Sequence, residues 1–85
     1  MTILIVWDEA KRQTNLAKHA MDFAELDPTF FAEALVAPTR DGRFVAVGRF
    51  RGEVIIVVVF RPLGSEALSV ISMRPASRKE RSWLC

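Results

Sequence analysis

The chain is short and nearly balanced in charge. Its 85 residues fit one small domain with room for one site, because a core of this size already leaves much apolar surface hard to bury. Twelve Lys and Arg oppose ten Asp and Glu, and 51% of the residues are hydrophobic, which excludes a disordered chain. The single Cys is residue 85, so no intrachain disulfide is possible.

The apolar segments predict neither export nor membrane insertion. Residues 3–7 are too few for the core of a signal peptide, and the acidic residues Asp8 and Glu9 follow them. The longest apolar run, residues 54–60, cannot span a bilayer as a helix. We therefore expect a soluble cytoplasmic protein.

The first part of the chain predicts one strand followed by helices. Residues 3–7 are β-branched and aromatic, which favours a strand, and Asp8 is suited to cap a helix over residues 9–19. Asp22 and Asp27 each begin a helix-start pattern, so two short helices or one kinked helix follow. The apolar residues of this segment recur at helical spacing and are expected to pack on a sheet: Phe23, Leu26, Phe30, Ala34 and Leu35.

The first predicted helix has two distinct faces. The helical period places Ala10, Gln13, Ala17 and Ala20 on one narrow face of mostly small residues. Lys11, Asn15 and Lys18 follow one another on the polar face, and His19 adjoins them. Such a face is either solvated or a binding surface, and its spacing leaves both possibilities open.

The second part of the chain predicts consecutive strands and a closing helix. Turn sequences at residues 41–42 and 51–52 flank an alternating segment, and residues 53–60 are nearly all Val and Ile. This pattern predicts a hairpin whose second strand is buried on both faces and lies at the centre of the sheet. A turn at residues 62–65 leads to a third strand over residues 67–73, so we expect a small antiparallel meander. Ser77 and Glu80 form a capping box for a short final helix. The predicted order is β-α-α-β-β-β-α, an α+β fold in one domain over residues 1–85.

The residue types narrow the possible chemistry. One His and one Cys cannot complete a closed zinc site, and no carboxylate cluster has two-metal spacing, so neither a metal nor another cofactor is expected. Neither a Gly-x-Ser-x-Gly sequence nor a phosphate-binding glycine loop occurs. What remains is a set of cations near the ends of the predicted elements: Lys11, Lys18, His19, Arg61, Arg74, Arg78, Lys79 and Arg81.

Such cations would suit the cleavage of RNA without a metal ion. The 2′-hydroxyl of RNA attacks the adjacent phosphate, so the protein needs only to move protons and to neutralise the phosphorane. Arginine binds phosphate well but cannot be a base near neutral pH, so His19, Glu80 or a lysine would have to fill that role. Arg78 and Lys79 lie in the first turn of the last predicted helix, where positive side chains oppose the helix macrodipole at a cost in stability. Either a bound phosphate or Glu80 together with solvent would offset that cost.

The order of particular residues resembles one known family. Trp7-Asp8-Glu9-Ala10-Lys11, then Asn15, Lys18-His19 and Asp22-Phe23, are similar to the opening signature of the BrnT toxins, and Gly48, the Val-rich strand and residues 71–81 are similar to the family's closing strand and helix. The resemblance covers nearly the whole chain. It implies a RelE-like α+β fold and the toxin of a type II toxin–antitoxin pair, a ribonuclease that works without metal and inhibits translation and growth.

The resemblance also implies partners and site residues. In the family a BrnA-type antitoxin, a ribbon-helix-helix protein, neutralises the toxin, and two toxins pair with an antitoxin dimer that binds operator DNA. The positions that match the signature are Lys11, Lys18, His19, Arg74, Glu80 and Arg81. Together with the strand-end cations, this assigns catalytic roles to Lys11, His19, Arg61, Arg74 and Glu80, and RNA binding to Lys18, Arg78, Lys79 and Arg81.

Several positions depart from the family pattern. Ala20 replaces a glycine after the His, so we expect the helix to end without a left-handed cap. Leu63 and Ser69 stand where arginines are expected, and Arg61 stands where threonine is usual. Residues 83–84 replace a tyrosine, on a helix too short to be stable without docking. Two alternatives therefore stay open: a catalytically silent module that only binds antitoxin and helps to regulate its operon, and a plain RNA- or DNA-binding domain.

Overall fold

The fold combines one sheet with short helices. A computed structural model describes residues 3–52 and 54–84. In chain order the elements are β1 (Leu4–Trp7), α1 (Glu9–His19), a 3-10 turn (Phe23–Glu25), α2 (Pro28–Glu33), β2 (Leu35–Pro38), β3 (Phe44–Phe50), β4 (Val54–Leu63), β5 (Ala67–Pro75) and α3 (Arg78–Ser82). The predicted α+β class is confirmed. The predicted order is incomplete, because it lacks β2.

β2 is an exposed edge strand. Leu35, expected on the helical core face, lies on this strand with 49% of its surface exposed. The strand pairs antiparallel with β3, from Leu35 opposite Val47 to Pro38 opposite Phe44. All four of its residues are exposed, and a strand without alternating burial carries little periodic signal in the sequence.

The five strands form one sheet in the order β1-β5-β4-β3-β2. β4 lies at its centre, and Ile56, Val57 and Val58 are all buried, which confirms the two-sided burial predicted for this strand. β2 to β5 form the expected antiparallel meander, whereas β1 pairs with β5 in parallel, so the sheet is mixed rather than purely antiparallel. Pro62 and Leu63 belong to β4 and not to the turn predicted there.

The sheet has one covered face and one open face. The covered face packs against the 3-10 turn and α2, and its core consists of Phe23, Leu26, Phe30, Phe31, Ala46, Ile56, Val58, Phe60, Leu68, Val70 and Met73. The three phenylalanines from the helical segment are core residues, as predicted. Alternate residues of the same strands form the opposite surface, which we call the open face: Val45, Val57, Val59, Ser72 and Arg74.

α1 turns part of its polar side toward the sheet. Asn15 is buried, and its amide donates to the Met21 carbonyl at 3.1 Å while its oxygen accepts from the Met73 amide at 3.0 Å. The pairing of β1 with β5 ends at Trp7, opposite Val70. Asn15 therefore supplies the hydrogen bond that a longer β1 would have given to Met73.

α1 ends in the left-handed cap that was not expected for alanine. Ala20 has φ 56° and ψ 31°, and its amide donates to the Leu16 carbonyl at 2.9 Å. The expectation is wrong because the residues just beyond the cap are held in place: Arg12 binds Asp22 through Nε and Nη2 at 2.7 and 3.0 Å, and Asn15 binds Met21. Across residues 3–52 and 54–84, no helix has the length and hydropathy needed to cross a membrane.

Candidate active site

A groove on the open face gathers charged residues from three parts of the fold. Its volume is about 530 Å³, and Val45, Val57 and Val59 form its floor. The turn between β2 and β3 contributes one wall and α3 the other. The remaining side chains that matter for its chemistry are Arg40, Asp41, Arg43, Arg74, Glu80 and Trp83. We call this site the groove.

Arg74 and Glu80 form a bidentate ion pair in the groove. Nη1 of Arg74 donates to Oε1 at 2.8 Å, and Nη2 donates to Oε2 at 2.7 Å. Nη1 also donates to the Pro75 carbonyl at 3.2 Å. Of the five N–H groups of a guanidinium, Nε–H and one on Nη2 are left without a partner in the described part of the chain. Two predicted catalytic residues therefore meet, and Arg74 keeps donors for a ligand.

Glu80 is fixed by the start of α3 as well as by Arg74. Its Oε1 accepts from the Ser77 amide at 2.7 Å, and its own amide donates to Ser77 Oγ at 3.2 Å, which confirms the predicted capping box. The hydrogen bonds from Arg74 lower the pKa of Glu80 from 4.5 to about 2. A carboxylate with so low a pKa is a weak base, so its arrangement suits positioning Arg74 better than removing a proton.

Arg43 is a groove residue that the sequence reasoning missed. Continuing the register one step beyond the Phe44–Phe60 pair places Arg43 next to Arg61. Its Nε is buried and has no hydrogen-bond partner within residues 3–52 and 54–84. A buried donor without a partner is costly, and a ligand would satisfy it. The period of two in β3 puts residue 43 on the same face as Val45, and that signal could have identified it.

Arg61 lies where the groove meets the β2–β3 turn. Its Nη2 donates to the Asp41 carbonyl at 3.0 Å, and across the ladder it faces Ser69. Ser69 and Leu63, the two positions where arginines were expected, both lie at this end of the β4–β5 hairpin. Arg43 and Arg61 thus bring positive charge to a region where those two arginines are missing.

Asp41 supplies a second carboxylate to the groove. It occupies the turn between β2 and β3, where its φ is 60° and that of Gly42 is 73°, as in the type I′ turns that this sequence favours. Within the described residues its side chain makes neither an ion pair nor a hydrogen bond, in contrast to Glu80. Trp83 lines the groove just after α3 but is 49% exposed, so the expected docking of this short helix through Trp83 is not confirmed.

The three cations predicted on α1 lie in a separate depression. Lys11, Lys18 and His19 line a pocket of about 310 Å³, which we call the α1 pocket. Its other walls come from Ala10, Thr14 and Asn15 of α1 and from Ile71 and Ser72 of β5. The structure therefore divides the predicted catalytic residues: Arg74 and Glu80 line the groove, Arg61 lies beside it against Asp41, and Lys11 and His19 lie outside it.

The predicted RNA-binding residues of α3 do not line the groove. Arg78 and Arg81 line a different hollow, formed with Val54 and Ile55 at the start of β4. Lys79 is exposed on the surface of the helix. In the part of the chain that the structure describes, no group of three or more His, Cys, Asp and Glu side chains is placed to hold a metal ion.

Comparison with known proteins places the chain in a family. The family model of BrnT, the ribonuclease toxin of type II toxin–antitoxin systems, matches residues 7–80. The crystal structure of the Brucella abortus ribonuclease toxin BrnT is similar with a TM-score of 0.85 and 60% sequence identity, covering 91% of this chain and 100% of that one. A search of curated proteins gave no match. The chain belongs to the BrnT family of ribonuclease toxins of type II toxin–antitoxin systems.

Proposed function

We propose that the chain is a metal-independent endoribonuclease that cleaves RNA in the groove. The observation that carries this proposal is the pair of arginines there: Arg74, oriented by Glu80 with donors to spare, and Arg43, with a buried Nε that lacks a partner. Guanidinium groups bind phosphate oxygens with charge-assisted hydrogen bonds. Placed on a phosphate that gains negative charge during the reaction, they supply the electrostatic stabilisation that a metal ion gives in other nucleases.

The reaction we infer is attack of the RNA 2′-hydroxyl oxygen on its own 3′-phosphate. The P–O5′ bond breaks as the 2′,3′-cyclic phosphate forms, and the leaving 5′-oxygen takes a proton from water. Arginine does not accept a proton near neutral pH, and the low pKa of Glu80 makes it a poor acceptor. The carboxylate of Asp41 is the remaining acceptor in the groove, and we assign to it the removal of the 2′-hydroxyl proton. Arg61 adds positive charge at the same end of the groove, and Lys11 and His19 take no part in the cleavage step.

We also infer that a BrnA-type antitoxin neutralises the toxin. Family membership supports this proposal, because a type II system pairs its toxin with a protein antitoxin. The expected antitoxin is a ribbon-helix-helix protein, two toxins bind its dimer, and only the antitoxin contacts operator DNA. The groove is open to solvent beside Trp83, so a protein partner could cover it. The expected consequence of releasing the toxin in the cytoplasm is inhibition of translation and growth.

A substrate with one reactive position tests the proposed reaction. The purified protein is mixed, in EDTA, with an oligonucleotide that is 2′-O-methylated at all positions but one, and with a fully methylated control. We expect cleavage only after the free 2′-hydroxyl, giving a 2′,3′-cyclic phosphate and a 5′-hydroxyl end. The same assay is repeated with ribosomes and messenger RNA.

Two results would contradict the proposal and favour an alternative. Folded protein that binds antitoxin but never cuts RNA would favour the catalytically silent module. Salt-sensitive binding of RNA or DNA without any product would favour a plain binding domain.

A further inference from the structure

The α1 pocket concentrates positive charge without a counter-charge. Lys11 and Lys18 are two turns apart on one side of α1, and His19 completes the cluster. Of the Asp and Glu residues that the structure describes, none lines the pocket. Among residues 3–52 and 54–84, no carboxylate lies within 4.0 Å of these three cations.

The remaining charges of α1 are neutralised on another side of the helix. Arg12 binds Glu9 at 2.6 Å and Asp22 at 2.7 Å, and Gln13 also donates to Glu9. These contacts raise the pKa of Arg12, with the hydrogen bond to Asp22 as the largest cause. The carboxylates of Glu9 and Asp22 are therefore already engaged and do not neutralise the cations of the α1 pocket. A pocket with uncompensated positive charge suits an anion.

The α1 pocket adjoins the groove across the ladder between β4 and β5. Ser72 lines the α1 pocket and Val59 lines the groove, and the register pairs these two residues directly. Adjacent strands are only about 4.8 Å apart. A strand of RNA that lies across the open face would therefore reach both sites within a few nucleotides.

A β-bulge shapes the wall that the two sites share. The register of β4 and β5 shifts between Val59 and Phe60, which leaves Ile71 without a partner in the ladder. A bulge bends its strand and redirects side chains, and both Ile71 and Ser72 face the α1 pocket. The buried contact between Asn15 and the Met73 amide fixes this stretch against α1. The cations therefore lie on a fixed surface.

We propose that the α1 pocket binds backbone phosphates of the RNA strand whose cleavage we assign to the groove, an inference that rests on the proposed function. Lys11 and Lys18 neutralise the phosphates as point charges, and His19 and Thr14 donate hydrogen bonds to the phosphate oxygens. Binding in the α1 pocket fixes the direction in which the RNA strand crosses the open face. Lys11 and His19, given catalytic roles from the sequence, hold substrate instead.

Binding of uncleavable RNA tests this proposal directly. Wild-type protein and a Lys11→Gln/Lys18→Gln variant are titrated into fully 2′-O-methylated oligonucleotides of about three and about ten nucleotides, at several salt concentrations. We expect the variant to lose about tenfold or more in affinity for the longer RNA, and less for the shorter one. The salt dependence should also change, with the slope of log K against log salt falling by about 1.4, because each neutralised phosphate contributes about 0.7 on a single strand.

An Arg49→Gln/Arg51→Gln variant is the matched control. It removes the same charge from exposed positions beside Glu25 and Glu33, away from the α1 pocket. Both lysines and both arginines are exposed, so neither variant disturbs the core. Equal salt slopes for wild type and the lysine variant, an equal loss in the control, or no binding of the longer RNA by wild type would overturn the proposal. Because the RNA cannot be cut, failure of the cleavage reaction alone would leave this result unchanged.

Discussion

Glu80 acts in the fold and in the groove at the same time. Its carboxylate receives two hydrogen bonds from Arg74 and one from the Ser77 amide. The two hydrogen bonds from Arg74 orient its guanidinium, and the hydrogen bond from the Ser77 amide caps α3. Replacing this one side chain should therefore affect both the stability of the chain and its reaction, which makes the pH dependence of stability informative.

Glu80→Gln is expected to lower the free energy of unfolding at pH 7 by about 1–3 kcal/mol, the range for hydrogen bonds to charged groups. Arg74 lowers the pKa of Glu80 in the folded protein, so this contribution is complete above about pH 4.5 and is lost as the pH falls toward about 2. Urea unfolding of both proteins should show their difference shrinking across that window. A difference that is independent of pH would contradict the ion pair.

Ala20→Gly is expected to stabilise the chain by about 1 kcal/mol. Ala20 adopts a left-handed conformation that glycine reaches without steric cost. Thermal unfolding measures the effect. Ala17→Gly serves as control, since the same replacement at an exposed position inside α1 should destabilise by about 1 kcal/mol. If Ala20→Gly lowered the melting temperature as Ala17→Gly does, the left-handed cap would be wrong.

Among the helices and strands, the features that depend on residues close in sequence were predictable. The side chains of Asp8, Asp27 and Ser77 cap the helices that follow them, as their patterns predict. The parallel pairing of β1 with β5 was not predictable, since it joins segments about sixty residues apart without a local pattern. β2 was missed because every one of its residues is exposed.

The groove was predictable only in part, because only some of its contacts join residues that are close in sequence. Arg74 and Glu80 are close in sequence, and the capping box of Ser77 and Glu80 fixes the Glu80 side chain, so their pairing is local. Periodicity cannot tell which strand a helical face meets, and the separation of Lys11 and His19 from the groove followed only from the packing of α1 against β5. The face of Arg43 follows from the period of two that it shares with Val45, whereas its closeness to Arg61 depends on the register of β3 with β4.

Gly48 marks the closest approach of β3 to α2. A Cβ at this position would lie 3.1 Å from the Ala34 Cβ and 3.1 Å from Cε1 of Phe30. Gly48→Val should therefore destabilise the chain by about 1–3 kcal/mol through overpacking. Urea unfolding checks this against Arg49→Thr at the adjacent exposed position, which should change stability by less than about 0.5 kcal/mol. Equal stability of the two variants would refute the close packing.

For the whole molecule, the sheet divides its two faces between stability and chemistry. The 3-10 turn, α2 and the apolar core occupy one face, while the groove, with α3 as one wall, lies on the other and the α1 pocket adjoins it at Ser72. This division lets the groove carry polar and charged side chains without exposing the core. It also explains how Leu63 and Ser69 can replace expected arginines without loss of fold, since neither belongs to the core.

Asp41→Asn tests the assignment of the proton acceptor on this face. Asparagine adopts the left-handed conformation of residue 41 readily, so the turn should survive. We expect the single-turnover cleavage rate to fall by about 10²–10⁴. Glu33→Gln, which removes an exposed carboxylate outside the groove, is the control. A rate for Asp41→Asn within about threefold of wild type would show that another group takes the proton.

The most direct test of the central claim is the single-turnover rate of RNA cleavage in EDTA by Arg43→Gln and Arg74→Gln, measured at saturating protein. Each change removes donors to which we assign the stabilisation of the phosphorane, and the loss of one such donor typically costs about 10²–10³ in rate. We predict a loss of that size for each variant, with circular dichroism unchanged and with Arg49→Gln as active as wild type. Rates within about threefold of wild type for both variants would contradict the placement of the cleavage site in the groove.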